Sequence, residues 1–392
     1  MAHSAPQWLQ EGNLSVRKRT WTTSTGEQKE AWIVDYSDQN GARHLKTFER
    51  KKDADAYEAT VRVDVEKGVH TAPSRSITVA SAAQDWLTWA KLEGLEAATL
   101  AGYQQHVDLH IVPRLGAHKL ATLTMPRVEK FRDDLLANMS RAMAKKVLTS
   151  FKALLKDARR RGNVAQNVAA DVKISSTGRT KQRLEVGKDI PTRDEIKRLL
   201  DAAPEGRTRT LLMTAAFTGL RASELRGLRW ADVNFARGTI TVSQRADRYR
   251  VIGQPKSATS KRTLPIGPMV VNTLRQWKLA SKGNDLVFPS ENGTPVDHSN
   301  LVQRVLGPAL LTAGIVAKDG SPKYSMHALR HFYASWCINR RKDGGLELPP
   351  KPVQARLGHA TIVLTLDRYG HLFPSSDDGA ELAAAEKAIF AT

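Results

Sequence analysis

Cysteine is nearly absent: Cys337 is the single such residue among 392. It can build neither a disulfide framework nor a cysteine-based zinc site. Its apolar helical surroundings make it a buried structural side chain rather than a reactive thiol. Long apolar runs are missing as well, and Met1 to Asn13 is polar, without the core of a signal peptide. The expectation is a soluble, cytoplasmic chain without membrane contact. Acidic side chains are the third shortage: 40 Asp and Glu face 60 Lys and Arg, a net charge of +20. Such an imbalance calls for a polyanionic partner, and nucleic acid is the first candidate.

What is present is ordinary globular material, with 41% hydrophobic and 26% charged residues, enough for two or three domains. Residues 1–70 read as a small α+β unit. Val16 to Thr22, Ala31 to Ser37 and Ala42 to Phe48 resemble strands, with a hairpin signal at Asn40-Gly41. Residues 52–66 follow as a helix with Ala54, Tyr57, Val61 and Val65 on one face. Arg17, Lys18, Arg19, Arg43 and Lys46 are its candidate phosphate contacts, with the sheet face offered to a DNA groove.

Residues 76–174 are helical throughout, in four stripes, the longest being Val147, Leu148, Phe151, Leu154, Leu155 and Ala158. That stripe closes on Arg159-Arg160-Arg161-Gly162, a stop signal that also places cations for DNA. Residues 76–184 hold 18 basic against 9 acidic side chains, the steepest imbalance of the chain. A helical clamp on duplex backbone is expected. Residues 175–190 are polar and aperiodic and read as a linker, with Arg179 and Lys181 as further DNA contacts. From 191 to 392 the chain is mixed and mainly helical, with strands at 238–243, 247–252 and 262–266 and Lys256 in the last turn. The expected fold is thus multidomain and mainly α: a three-stranded sheet plus helix, a helical bundle, and a mixed domain holding a small antiparallel sheet.

One stretch, 325–373, concentrates chemistry. It holds His327-Ala328-Leu329-Arg330-His331, then Leu357-Gly358-His359, then Tyr369. Breaking a DNA strand puts extra negative charge on the phosphate oxygens, and two guanidiniums can neutralise it with planar forks that stay protonated. Arg330 and Arg221, in Thr218-Gly219-Leu220-Arg221-Ala222-Ser223-Glu224-Leu225, are that pair. A tyrosine can attack phosphorus and keep the bond energy as an ester. A lysine on a mobile hairpin can protonate the leaving oxygen. A metal route would need clustered carboxylates, and Glu224 alone lies near these motifs, so neither metal nor cofactor is expected. The His327/His331 pair lacks the third ligand of a zinc site.

These four motifs, in this order and spacing, resemble the tyrosine recombinases, the phage integrase family. The resemblance implies an arm-type DNA-binding domain at 1–70, a core-binding domain at 76–174, a linker at 175–190 and a catalytic domain at 191–392. Arg221 and Arg330 would clamp the scissile phosphate, and Lys256 would be the general acid, with Lys261 its alternative. His327 would handle the tyrosine proton or bond the phosphate. His359 would donate to a phosphate oxygen, Glu224 would support, and Tyr369 would be the nucleophile. His331 stays a structural residue in this reading. Such enzymes integrate or excise mobile elements, viral genomes among them. They act as a homotetramer on double-stranded DNA, at core and arm-type sites, through a Holliday junction without ATP or metal. A DNA-bending host factor and an excisionase are the accessory partners to expect. The final Ala-rich helix resembles segments that dock onto a neighbouring protomer. Two other functions compete: a catalytically idle DNA-binding regulator, and a type IB topoisomerase-like strand transferase.

Overall fold

The computed structural model of the chain describes residues 14–38, 41–66, 70, 76–175, 183–255, 257–281, 283–373 and 378–390. The chain divides into two compact units, Met1–Gly178 and Arg179–Thr392.

The first unit opens with an antiparallel sheet in the order β1 (Ser15–Thr22), β2 (Gln28–Ser37), β3 (Arg43–Phe48), followed by α1 (Lys51–Glu66). Strand side chains alternate between faces, and the register sorts them. Val16, Lys18, Trp32, Val34, Tyr36, Lys46 and Phe48 share the face against which α1 packs Ala54, Tyr57, Val61 and Val65. Arg17, Arg19, Ile33, Asp35, Arg43 and Leu45 share the other face. A separate core joins α2 (Val79–Leu92), α3 (Ala97–His106), α4 (Val112–Leu115), α5 (Met125–Asn138) and α6 (Arg141–Arg160). One π-helical turn, Val107–Ile111, links α3 to α4 and turns Val107 and Ile111 inward. α6 buries the expected stripe from Val147 to Ala158.

In the second unit, Thr192 and Glu195 form the expected capping box on α7 (Arg193–Ala202). α8 (Arg207–Thr218) runs through the core, and α9 (Ala222–Arg226) follows at once. β4 (Val233–Asn234), β5 (Thr239–Val242) and β8 (Arg262–Pro265) form one small antiparallel sheet; β6 (Arg245–Ala246) and β7 (Ile252–Gly253) form another. The strand expected at 247–252 is therefore not made. The Asp247 carboxylate captures the backbone N–H groups of Tyr249 and Val251, and Arg250 adopts a positive φ, so the segment turns instead. α10 (Pro268–Ala280) comes next. α11 (His298–Asn300) then runs through a π-helical turn into α12 (Gly307–Thr312). α13 (Met326–Ile338), α14 (Pro350–Leu357) and α15 (Ile362–Tyr369) build the site, and α16 (Asp378–Phe390) comes last. Cys337 is fully buried in the cluster joining α13, α14 and α15, and burial pushes its thiol up to about 11. None of the described helices is long and apolar enough to cross a membrane.

Candidate active site

The site starts from a glycine. Gly219 ends α8 in the left-handed region (φ 61°), and a Cβ there would lie 2.4 Å from the Tyr333 ring. Both facts demand glycine. The sharp stop makes Arg221 the N-cap of α9, with its backbone N–H donating to Glu224 Oε2 at 2.9 Å. Glu224 is buried and accepts from two arginines: Arg221 Nη1 at 2.7 Å, and both terminal nitrogens of Arg262 at 3.1 and 2.9 Å. Burial alone would raise this carboxyl, but Arg262, with Arg221, outweighs it and holds it below the usual carboxylate range.

The second anchor is the end of α14, where helix carbonyls have no intrahelical partner. Three arginines satisfy three successive ones. Arg262 Nε donates to Arg356 O at 2.8 Å, Arg330 Nη2 to Leu357 O, and Arg221 Nη2 to Gly358 O at 3.1 Å. Arg330 also reaches back from α13 to Gly219 O at 2.6 Å, so one planar fork ties α8 to α14. It is 2% exposed. Burial and the neighbouring Arg221 push it down to about 9, which leaves it charged at neutral pH.

The nucleophile candidate ends α15, whose inward residues are Thr365 and Tyr369 while Val363, Leu364 and Leu366 face out. Tyr369 is 1% exposed, and burial pushes its phenol up to about 12 despite the nearby Arg330, Arg368 and Arg221. Its hydroxyl lies 2.7 Å from His331 Nδ1, and its ring stacks on His359 with centroids 6.3 Å apart. His359 follows the left-handed Gly358, and its Nδ1 is 2.9 Å from the Thr365 hydroxyl. His327 sits one turn before His331 on α13, edge-on to it at 4.6 Å between ring centroids. Burial and the surrounding arginines push His327 and His359 down to about 4, and His331 to about 3. All three imidazoles are neutral at pH 7.

Arg221, Glu224, His327, Arg330, His359 and Tyr369, gathered from residues almost 150 positions apart in sequence, thus share one site. Lys256 lies outside the described residues, as do Arg179 and Lys181. Lys261 is exposed just before β8. In the first unit, Arg17 and Arg43 flank the Asp35 carboxylate on the face away from α1, at 3.0 and 2.8 Å, and Arg19 is exposed on the same face. Lys18 and Lys46 are on the helix side, where Lys18 pairs with Glu30 and Lys46 lies 3.9 Å from the centroid of the Tyr57 ring. At the end of α6, Arg160 and Arg161 both bind Asp157, Arg160 also lies over Trp89, and Arg159 is exposed.

Two residues exceed the sequence reading. No local motif marks Arg262, yet it bonds Glu224 and the end of α14. The signal was the period of two: Leu264 faces the core, which turns Arg262 inward and Lys261 outward. His331, read as structural, is the residue that touches the Tyr369 hydroxyl.

Two outcomes follow from these contacts. Glu224→Gln keeps the shape but leaves two arginines without their counter-charge, and is expected to lower unfolding stability by about 2–4 kcal/mol, measured by denaturant titration. Acid should weaken the unit through its histidines. They charge in the unfolded chain below about pH 6.5, but in the folded chain only near 3 to 4. The unfolded state therefore binds more protons in that window, so stability is full above it and falls as the pH drops through it. Thermal unfolding is expected to come roughly 5–10 °C lower at about pH 5 than at about pH 7.5; a flat profile would contradict the buried neutral imidazoles.

A mainly helical unit that gathers buried arginines, neutral histidines and a tyrosine has the composition of a phosphoryl-transfer centre. Residues 191–375 match the phage integrase family. Over 395 aligned residues the chain is 26% identical to a tyrosine recombinase XerC-like protein of Caldanaerobacter subterraneus subsp. tengcongensis, covering 93% of this chain and 97% of that one. It is 27% identical to an integrase of Streptomyces ambofaciens, over 88% and 90% of the two chains. Among solved structures it shares its fold with the Tn1549 transposon integrase in complex with a circular intermediate DNA (TM-score 0.62, 19% identity, 80% of this chain and 100% of that one). It also shares it with a lambda integrase dimer bound to a COC′ core site (TM-score 0.58, 18% identity, 91% and 97%). Residues 191–375 thus form a phage integrase family domain, and the chain is a homologue of tyrosine recombinases, DNA-binding enzymes of site-specific recombination.

Proposed function

We propose that the chain integrates and excises a mobile element by cutting and rejoining DNA through a 3′-phosphotyrosyl intermediate at Tyr369. The observation that carries this is the convergence of Arg221 and Arg330 on the end of α14, beside the His359–Tyr369 stack. Two forked cations held in place by buried contacts meet the charge that develops on a phosphate without reorganising. Glu224 and Arg262 hold Arg221 and β8 in register. His359, stacked on the nucleophile, donates to a non-bridging oxygen, and Lys256 is the general acid for the 5′-oxygen. No metal or nucleotide enters these steps.

The sheet at 1–70 is the arm-type reader, through Arg17, Arg19 and Arg43 on its open face, and 76–174 is the core-binding clamp. Residues 175–190 are the link, and 191–392 the catalytic domain. Holding two double-stranded sites requires a homotetramer and a Holliday junction, and α16, with Leu382, Ile389 and Phe390 exposed, is the segment that would join neighbouring copies. A DNA-bending host factor and an excisionase complete the assembly, in the cytoplasm of a bacterial host.

Covalent trapping tests this reading. The full chain is incubated with nicked suicide duplexes carrying the element's junction sequences, with EDTA present. A protein–DNA adduct on a denaturing gel is the expected result. Tight binding without an adduct would leave a DNA-binding regulator in its place.

A further inference from the structure

A surface that only grips phosphate has no use for an acid, yet the open face of the N-terminal sheet is built around one. Asp35 stands in the central strand β2, its side chain 7% exposed, on the same face as Arg17, Arg19 and Arg43. A carboxylate so enclosed costs free energy unless it is paired, and repels the DNA backbone besides. We infer that Asp35 locks the Arg43 guanidinium in place as the reader of one guanine in the arm-type site, and that Arg43 is not a mere phosphate contact. The inference rests on the arm-binding role proposed above for residues 1–70, and says which of its cations carries sequence information.

The geometry is that of a buttressed fork. Arg43 Nε donates to Asp35 Oδ1 at 2.8 Å and Arg43 Nη2 donates to Oδ2, a bidentate pair. From the strand on the other side, Arg17 Nη2 donates to the same Oδ2 at 3.0 Å. The hydrogen bonds from Arg43 are foremost in holding this carboxyl below its usual range, so it stays ionised at neutral pH. A guanidinium carries five N–H groups in one fixed plane. The pairing with Asp35 uses the Nε–Nη2 edge, which leaves the Nη1–Nη2 edge for a second acceptor pair, on a side chain 67% exposed. That edge matches O6 and N7 of guanine in the major groove, the commonest base-specific contact of arginine. Fixing the plane serves a base edge, whereas phosphate contacts position the protein and carry no sequence information. Leu45 supports the same reading. It lies opposite Asp35 across the strands, 58% exposed on this face. An apolar side chain offers nothing to a phosphate and suits a thymine methyl. Arg19 is the internal control: exposed on the same face, it lies opposite Ala31, two rows from the acid.

The test is selection from a random duplex pool by the full chain, then affinities on the enriched sequences at several salt concentrations. Wild type is expected to enrich a site with a fixed guanine. Exchanging that guanine for 7-deazaguanine keeps the Watson–Crick pair and removes N7, and should weaken wild type about 10-fold. Arg43→Lys keeps the charge and loses the fork, so its ratio between the two bases should fall close to one. Asp35→Asn should move two readouts in opposite directions. Guanine preference falls because the fork is released, while affinity for mixed-sequence DNA rises because a negative charge is gone. A merely structural acid would lower both together. Arg19→Ala should weaken all sequences alike and reduce the salt slope by about one. Arg43 is exposed, so its variant decides even where Asp35→Asn melts early. If Arg43→Lys keeps the guanine preference, or no enriched guanine depends on Arg43, the inference falls and the sheet holds backbone alone. If the triple variant Arg17→Ala, Arg19→Ala, Arg43→Ala enriches the same sites with wild-type affinity, the arm-binding reading itself falls.

Discussion

Tyr369→Phe is expected to bind junction DNA as tightly as the wild type and to form no covalent adduct, a fall of at least ~10⁴-fold in cleavage. The substitution removes one oxygen. The ring stays in the cluster of Tyr333, Cys337, Ile338, Val353 and Leu357, and its stacking on His359 is untouched. The lost hydrogen bond to His331 costs about 1 kcal/mol at most in stability, because a phenylalanine is content in a buried apolar cluster. Adduct formation on a suicide duplex and affinity from a mobility shift therefore separate chemistry from folding. An adduct persisting in the variant would move the nucleophile elsewhere and sink the reading of the site. The burial of Tyr369 adds a condition. At 1% exposure the hydroxyl cannot meet a phosphate while α15 is seated as it is. Thr365 and Tyr369 are the two residues of α15 that are fully buried, while three apolar side chains face out. A helix held by so few contacts is among the first to move, and DNA engagement is the natural trigger.

Much of this was legible in the residues, because backbone stops and side-chain chemistry coincide. Gly219 and Gly358 each end a helix in the left-handed region, and each delivers a catalytic candidate within two residues, Arg221 and His359. A motif of Gly, Arg and Glu at that spacing encodes both the turn and the ion pair. Helical periodicity likewise placed Val147 to Ala158 inside α6, since one continuous stripe leaves no other packing. What was not legible depends on pairings between distant segments. Lys261 and Arg262 are adjacent cations, and nothing local says that the second will meet Glu224, 38 positions away, and Arg356 O, 94 positions away. Lys18 and Arg17 are equally alike until the strand register gives them opposite faces. His331 looked structural because it fills a helix one turn past His327, and only the fold of α15 brings the phenol to it. The 247–252 segment alternates like a strand, yet a single aspartate turns it by binding its own backbone.

Arg330→Lys carries the second large effect, because it keeps the charge and removes the fork. The guanidinium spans Gly219 O and Leu357 O, carbonyls from opposite ends of the site's sequence, and it does so while 2% exposed. A lysine has one nitrogen on a flexible stem and cannot reach both carbonyls while also facing a phosphate. One buried carbonyl is then left without a donor, costing about 1–3 kcal/mol, and the end of α14 that carries Gly358 and His359 loosens. Strand cleavage is expected to fall ~10²–10³-fold, the usual consequence of losing one preorganised charge contact. Arg330→Ala should fall further and melt earlier, since the empty volume adds to the unmet carbonyls. Arg221 supplies the internal comparison. Its side chain is about one-third exposed, so Arg221→Lys should lose cleavage to a similar degree and far less stability. Single-turnover cleavage and thermal unfolding of the three variants decide the matter. Equal stability losses at positions 221 and 330 would mean that burial of the fork is not what holds α8 to α14. Wild-type cleavage by Arg330→Lys would mean that the site needs a charge there and not a fork, which would remove the geometric argument for the arginine pair.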